Sequence, residues 1–100
     1  MRIAITSNGR NISCDFDKTI KIIVFEVLQG KIRGKFMIDV SEGNRYETLK
    51  YILKNEEVKI VLCGRITDKI KIDLERQDIK VVEGVRGNIN NVVSGYMKKN

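Results

Sequence analysis

Between Ile20 and Val40, two β-prone runs are interrupted only by Gln29-Gly30. In the first, Ile20, Ile22 and Val24 fall on one side while Ile23, Phe25 and Val27 fall on the other. In the second, Ile32, Phe36 and Ile38 alternate with polar or small residues. A two-residue primed turn needs positive φ, which the glycine supplies without steric cost. The spacing predicts an antiparallel hairpin over residues 20–28 and 31–40. With the short run Arg2-Ile3-Ala4-Ile5-Thr6, which Ser7-Asn8-Gly9 breaks, the first part of the chain is committed to sheet. Residues 7–18 then form a long polar connection with one aromatic residue, Phe16, and connections of that length are often functional.

After Ser41-Glu42-Gly43-Asn44 the apolar period changes. Tyr46, Leu49, Ile52 and Leu53 recur at helical spacing, and Asn44 with Glu47 three positions later forms a capping-box pattern, so a helix is expected over 44–55. Val58 to Leu62 is a nearly continuous apolar run, as in a strand covered on both faces. The next stretch fits two periods. Ile70, Ile72 and Leu74 alternate like a strand, whereas Ile66, Ile70 and Leu74 make a helical stripe behind Thr67 as N-cap and Asp68 in the first turn. The helix is the reading adopted, because Ile79-Lys80-Val81-Val82 follows as a strand and parallel strands need a crossover. Gly84 and Gly87 end that strand. Asn88 caps a final helix with Ile89, Val92, Val93 and Tyr96 as its buried stripe and Lys98-Lys99 complementing its dipole. The order β-β-β-α-β-α-β-α implies an α/β domain, a mixed sheet with helices packed on it, and 100 residues imply a single domain over 1–100.

Composition narrows the chemistry more than it names it. The chain has no His, which removes the commonest general base and the commonest metal ligand, and with them any Ser-His or Cys-His pair. Two cysteines, Cys14 and Cys63, are too few for a disulfide scaffold or a four-thiolate zinc site in one chain. No apolar run approaches the ~20 residues that span a bilayer, and Met1-Arg2-Ile3-Ala4-Ile5-Thr6 lacks the pattern of a signal peptide, so a cytoplasmic protein with reduced thiols is expected. The net charge of +6 is spread evenly: residues 1–40 carry seven basic and four acidic side chains, residues 41–100 twelve and nine. A nucleic-acid footprint should be clustered, so nucleic acid is not the expected partner. Gly84-Val85-Arg86-Gly87 lacks both the spacing and the Lys-Ser/Thr of a phosphate-binding loop.

Two sites remain to be weighed. Cys63 ends the apolar run and precedes Gly64, where the chain must turn towards a helix. In open α/β sheets ligands bind beyond the carboxyl ends of strands, where strand order reverses. If the first and fourth strands are neighbours, Cys63 and the loop bearing Ser7, Asn8 and Cys14 open onto one edge. The plainer alternative is that Cys63 is a small buried hydrophobe. The second candidate is acidic: Asp15 and Asp17 in the long loop, with Asp39 at the end of the third strand, are of the type that holds Mg²⁺ in nucleases and phosphoryl-transfer enzymes of this layer order. Solvated turn residues are the plainer reading there too.

Several stretches resemble one family. Met1-Arg2-Ile3-Ala4-Ile5-Thr6-Ser7-Asn8-Gly9 resembles the opening of the dinitrogenase iron–molybdenum cofactor biosynthesis family, which includes NifX and the C-terminal domain of NifB. Val61-Leu62-Cys63-Gly64-Arg65-Ile66 resembles that family's apolar strand ending in Cys-Gly-Gly-Ile-Gly, and Leu74 to Val82 resembles its helix-to-strand junction with Gly-Ile-x-Val. Asn88 to Met97 is similar to its last helix. The resemblance implies a ribonuclease H-like three-layer sandwich with three helices and a five-stranded mixed sheet of order 3-2-1-4-5, strand two antiparallel. It implies a small non-enzymatic cytoplasmic domain that carries or chaperones an iron–sulfur or iron–molybdenum precursor cluster and works with cofactor-biosynthesis proteins; the ligand count adds a homodimer, in which two thiols per chain become four. On that reading Ser7, Asn8, Cys14, Cys63, Gly64 and Arg65 bind the cofactor, Cys14 and Cys63 as metal ligands. A ligand-free regulatory or partner-binding domain is the third possibility. The chain departs from the family's pattern at Cys14-Asp15-Phe16-Asp17-Lys18-Thr19, at Arg65 and at Thr67.

Overall fold

A computed structural model describes residues 1–40 and 45–99. In chain order the elements are β1 (Arg2–Ser7), a single 3₁₀ turn (Phe16–Lys18), β2 (Lys21–Leu28), β3 (Lys31–Asp39), α1 (Arg45–Asn55), β4 (Val58–Leu62), α2 (Asp68–Arg76), β5 (Lys80–Val82) and α3 (Ile89–Lys99). The expected capping box rests on Asn44, which lies outside the described residues.

The five strands form one sheet in the order β3-β2-β1-β4-β5. β2 is antiparallel to β1 and β3, while β4 is parallel to β1 and β5. The hairpin turn is built as the sequence predicts, with Gln29 at φ 53° and Gly30 at φ 75°. The ambiguous stretch after β4 is a helix: Thr67 is its N-cap and accepts a hydrogen bond from the Ile70 amide. Tertiary need decides this, because a strand there could not connect two parallel neighbours.

Strand alternation sorts the apolar side chains into two cores. Ala4, Ile22, Val24, Val61 and Val81 face α1 and α2, and pack with Leu49, Leu53, Leu74 and Phe16. Ile3, Ile5, Ile23, Phe25, Ile60 and Leu62 face α3, and pack with Ile89 and Val93. The result is the three-layer arrangement that the resemblance implies. Among the described residues no helix is long and apolar enough to cross a membrane.

The long polar connection after β1 is more buried than its composition suggests. It doubles back as isolated bridge pairs: Ser7 with Ile12, Asn11 with Asn88, and Asp15 with Arg65. Ile12, Ser13, Phe16 and Thr19 are all buried. The polar members are satisfied locally, Ser13 Oγ donating to the Asp15 carbonyl and Thr19 Oγ1 to the Phe16 carbonyl, each at 2.7 Å. Burial of such groups is tolerable only with those bonds in place.

Candidate functional site

β1 and β4 are adjacent and parallel, so their carboxyl ends open at one edge of the sheet. Three segments meet there. Backbone bonds run from the Ser13 amide to the Thr6 carbonyl (3.0 Å), from the Arg65 amide to the Cys14 carbonyl (2.7 Å), and from the Phe16 amide to the Arg65 carbonyl (2.8 Å). From the other side the Gly84 amide donates to the Gly64 carbonyl (3.0 Å), the Val85 amide to the Cys63 carbonyl (2.9 Å), and the Ile12 amide to the Gly87 carbonyl (3.0 Å). The segments 11–16, 63–66 and 83–88 are thereby laced into one rim. Gly84 and Gly87, at φ 73° and 104°, give the last segment the left-handed turns it needs.

The rim encloses a cavity of about 580 Å³. Asn8, Asn11, Cys14, Arg65 and Arg86 bring polar or charged groups to it, with Glu83 as the acidic member and Ile12, Ile66 and Val85 as apolar wall. Cys14 is exposed. The Arg65 side chain is 84% exposed, with its Nε 3.4 Å from Asp15 Oδ1. The lining holds two arginines, Arg65 in an ion pair with Asp15, and one glutamate, Glu83, which Lys71 holds at 2.9 Å, so its balance of charge is positive and suits an anion.

Of the six residues the sequence singles out, Asn8, Cys14, Gly64 and Arg65 line this cavity, and Ser7 and Cys63 do not. Ser7 is fully buried, and its Oγ accepts from the Gly9 amide at 2.9 Å, holding the turn that presents Asn8. Cys63 shares the side of the strand that holds Val61, and alternation sends it into the core under α1 and α2. It has no exposed surface, and burial, with a smaller contribution from the Glu83 carboxylate, pushes its thiol up to about 12. A fully enclosed sulfur offers no face to the cavity. The pleat of β4 thus sets the two cysteines of the expected shared metal site apart, Cys14 on the cavity and Cys63 in the core. Gly64 also has a different reason from the one its place at a ligand edge suggests: the chain's own segment 13–14 passes directly over it.

The acidic candidates do not assemble. Asp15 is paired with Arg65 and Lys18, and Asp39 lies across the sheet beside Lys21 at 3.9 Å. Among the described residues no three His, Cys, Asp or Glu side chains come together to hold a metal ion. Asn11, Glu83 and Arg86 are wall residues that sequence reasoning missed. The Gly84-to-Gly87 segment carried the signal, since two glycines bracketing Arg86 mark a shaped turn even where they do not make a phosphate loop.

The fold recurs in solved structures. PH0822 superposes with a TM-score of 0.92 at 22% identity, over 100% of this chain and 91% of that one. The apo form of the orange protein from Desulfovibrio gigas gives 0.83 at 17%, over 98% and 88%. MJ0327 of Methanocaldococcus jannaschii gives 0.81 at 17%, over 99% and 89%. Identities this low speak for the architecture alone. No curated protein matches the chain. The family model described as dinitrogenase iron–molybdenum cofactor matches residues 1–99. With nearly the whole chain matched and the sheet order that the resemblance implies, the protein belongs to the dinitrogenase iron–molybdenum cofactor family.

Proposed function

We propose that this protein binds and carries an anionic metal–sulfide cargo, an iron–molybdenum cofactor or an iron–sulfur precursor of it, in the cavity at the carboxyl ends of β1 and β4. The observation that carries this reading is that one exposed cysteine, Cys14, and two arginines, Arg65 and Arg86, line the same cavity. A thiolate is the soft ligand such a cargo takes, and the arginines offset its negative charge. Asn8 and Asn11 supply hydrogen-bonding groups to the remaining surface.

One thiol per site suits carriage rather than residence. Structural metal centres are closed by several protein ligands, whereas a cargo held by one thiolate, charge and hydrogen bonds leaves its other positions open to the protein that delivers or receives it. The role is binding, not catalysis, the partners are cofactor-biosynthesis proteins, and the compartment is the cytoplasm, where Cys14 stays reduced.

The test uses iron–molybdenum cofactor extracted from dinitrogenase, added without oxygen and followed by co-elution of metal and by the visible spectrum. Retention is expected at one cargo per chain. Cys14→Ser and Arg86→Glu are each expected to weaken it at least about tenfold, the worth of one lost ligand or of one charge-assisted bond reversed. Cys63→Ala is expected to leave it unchanged. No retention, or retention indifferent to both Cys14→Ser and Arg86→Glu, overturns the reading.

A further inference from the structure

β3 is the outer strand on the β2 side of the sheet, and each of its nine residues is exposed or half-buried. The phase of the ladder tells which of its backbone groups are unpaired. The Val27 amide donates to the Met1 carbonyl at 2.7 Å and the Met1 terminal ammonium to the Val27 carbonyl at 2.9 Å, so Val27, Phe25 and Ile23 turn their backbone groups towards β1. Ile22, Val24 and Glu26 therefore turn theirs towards β3, onto Ile38, Phe36 and Gly34. The Val40 amide on the Ile20 carbonyl continues the same phase. The N–H and C=O groups of Lys35, Met37 and Asp39 consequently project away from the sheet.

Such an edge usually carries charges that deter pairing. Here their signs do the opposite. We propose that β3 is a self-complementary edge, and that a second copy of this chain adds antiparallel to it across a two-fold axis at Met37, joining two sheets into one. In that register Lys35 stands opposite the second copy's Asp39, Asp39 opposite its Lys35, and Met37 opposite its Met37. All three are positions where both chains have outward-facing backbone groups. On the other face Phe36 stands opposite the second copy's Ile38, bringing Phe36, now 36% exposed, and Met37, 58% exposed, out of water. The charged pair is free to re-form across the axis: Asp39 is 86% exposed with Lys21 at 3.9 Å, and Lys35 lies 5.9 Å from the Phe25 ring centroid.

Neighbouring registers are worse. An axis at Lys35 sets two lysines against each other. An axis at Phe36 sets Arg33 against Asp39, and Arg33 is the bulge residue that has no partner in the β2 ladder. The interface is isologous, as two-fold dimers require. It lies at the far edge of the sheet from β4 and β5 and does not depend on the cavity or its cargo.

The experiment is sedimentation velocity of the full chain, with reductant present, from micromolar to submillimolar concentration. A monomer–dimer equilibrium is expected. Lys35→Glu and Asp39→Lys are each expected to weaken it at least about tenfold, because each replaces two attractive cross-strand pairs with two repulsive ones. An equimolar mixture of these two variants is expected to recover dimer, since both cross-pairs are then attractive, and that recovery shows both variants folded. Met37→Pro removes an outward N–H and leaves the β2 ladder intact, so it is expected to leave a folded monomer. A wild type that stays monomeric throughout overturns the proposal, including one that binds an acidic peptide along the basic side chains Lys31, Arg33 and Lys35 instead. So does a dimer that both charge variants retain, or a mixture that fails to recover it.

Discussion

The Cys14 carbonyl oxygen stands 2.4 Å from where a Cβ on Gly64 would be placed, and the Ser13 carbonyl oxygen is equally near. Both obstacles are backbone, and the same Cys14 carbonyl accepts the Arg65 amide at 2.7 Å, so neither can move without breaking the rim. Gly64 is the reason that the segment presenting Cys14 can lie flat on the end of β4.

Gly64→Ala is therefore expected to cost about 2–3 kcal/mol, as overpacking against an unyielding surface does. It should also loosen the cavity wall on which Cys14 and Arg65 sit. Denaturant unfolding of the variant, with cargo retention measured beside it, checks both; unchanged stability would mean that the 13–14 segment does not rest on Gly64.

The two thiols should behave as different species. With Cys14 exposed and Cys63 fully buried, a thiol reagent is expected to modify one cysteine per native chain and two after denaturation, with Cys14→Ser abolishing the native reaction. Cys63 also sets an alkaline limit. The folded chain holds its proton up to about 12, whereas the unfolded chain releases it near the ordinary value of 9.0. Above that value the unfolded state binds fewer protons, so stability is complete below it and falls as pH rises towards 12, by at most ~1.4 kcal/mol per pH unit. Burial of Tyr46 and its hydrogen bond to Asp73 raise that phenol too, adding to the same slope. Denaturation midpoints across the alkaline range measure it, and Cys63→Ala, although less stable throughout, should show a shallower fall.

The turn that closes α2, just past its C-cap Gln77, carries an aspartate where a glycine is ordinarily favoured. Asp78 sits at φ 64°, its amide donating to the Glu75 carbonyl at 3.1 Å while the Ile79 amide donates to the Leu74 carbonyl at 3.1 Å. This is a Schellman ending with a side chain in the left-handed region. Asp78→Gly is expected to raise stability by roughly 0.5–1 kcal/mol, the steric relief exceeding the added freedom of the unfolded chain. In a domain of this size that is roughly 2–8 °C in Tm. Asp78→Ala, which keeps a Cβ, should show no such gain. Calorimetry of the pair decides it, and equal effects would mean that φ is not what limits this helix end.

Local signals were enough for most of the fold. Gln29-Gly30 determined the hairpin, because a primed turn is a property of two residues. Thr67 and Asn88 marked helix starts for the same kind of reason: Asn88 Oδ1 accepts the Asn90 amide at 2.9 Å within its own turn. The apolar run of β4 and the stripe of α2 placed a parallel pair with its crossover. The site was half legible. Asn8, Cys14, Gly64 and Arg65 could be placed at the candidate cavity because turn residues at strand ends must lie at the sheet edge, and the direction of Cys63 was implicit in its even spacing from Val61. Arg86 and Asn11 were not legible, since they reach the cavity through backbone bridges between segments more than seventy residues apart in the chain, such as Asn11 with Asn88. The sequence by itself determined the elements, their order and the absence of histidine chemistry, all carried by neighbours along the chain. Tertiary structure alone decided that the polar connection after β1 is buried and laced, that one thiol faces the cavity and the other the core, and that the charges of β3 line an open edge. Each of those depends on which distant backbone satisfies a hydrogen bond, and local sequence does not encode that choice.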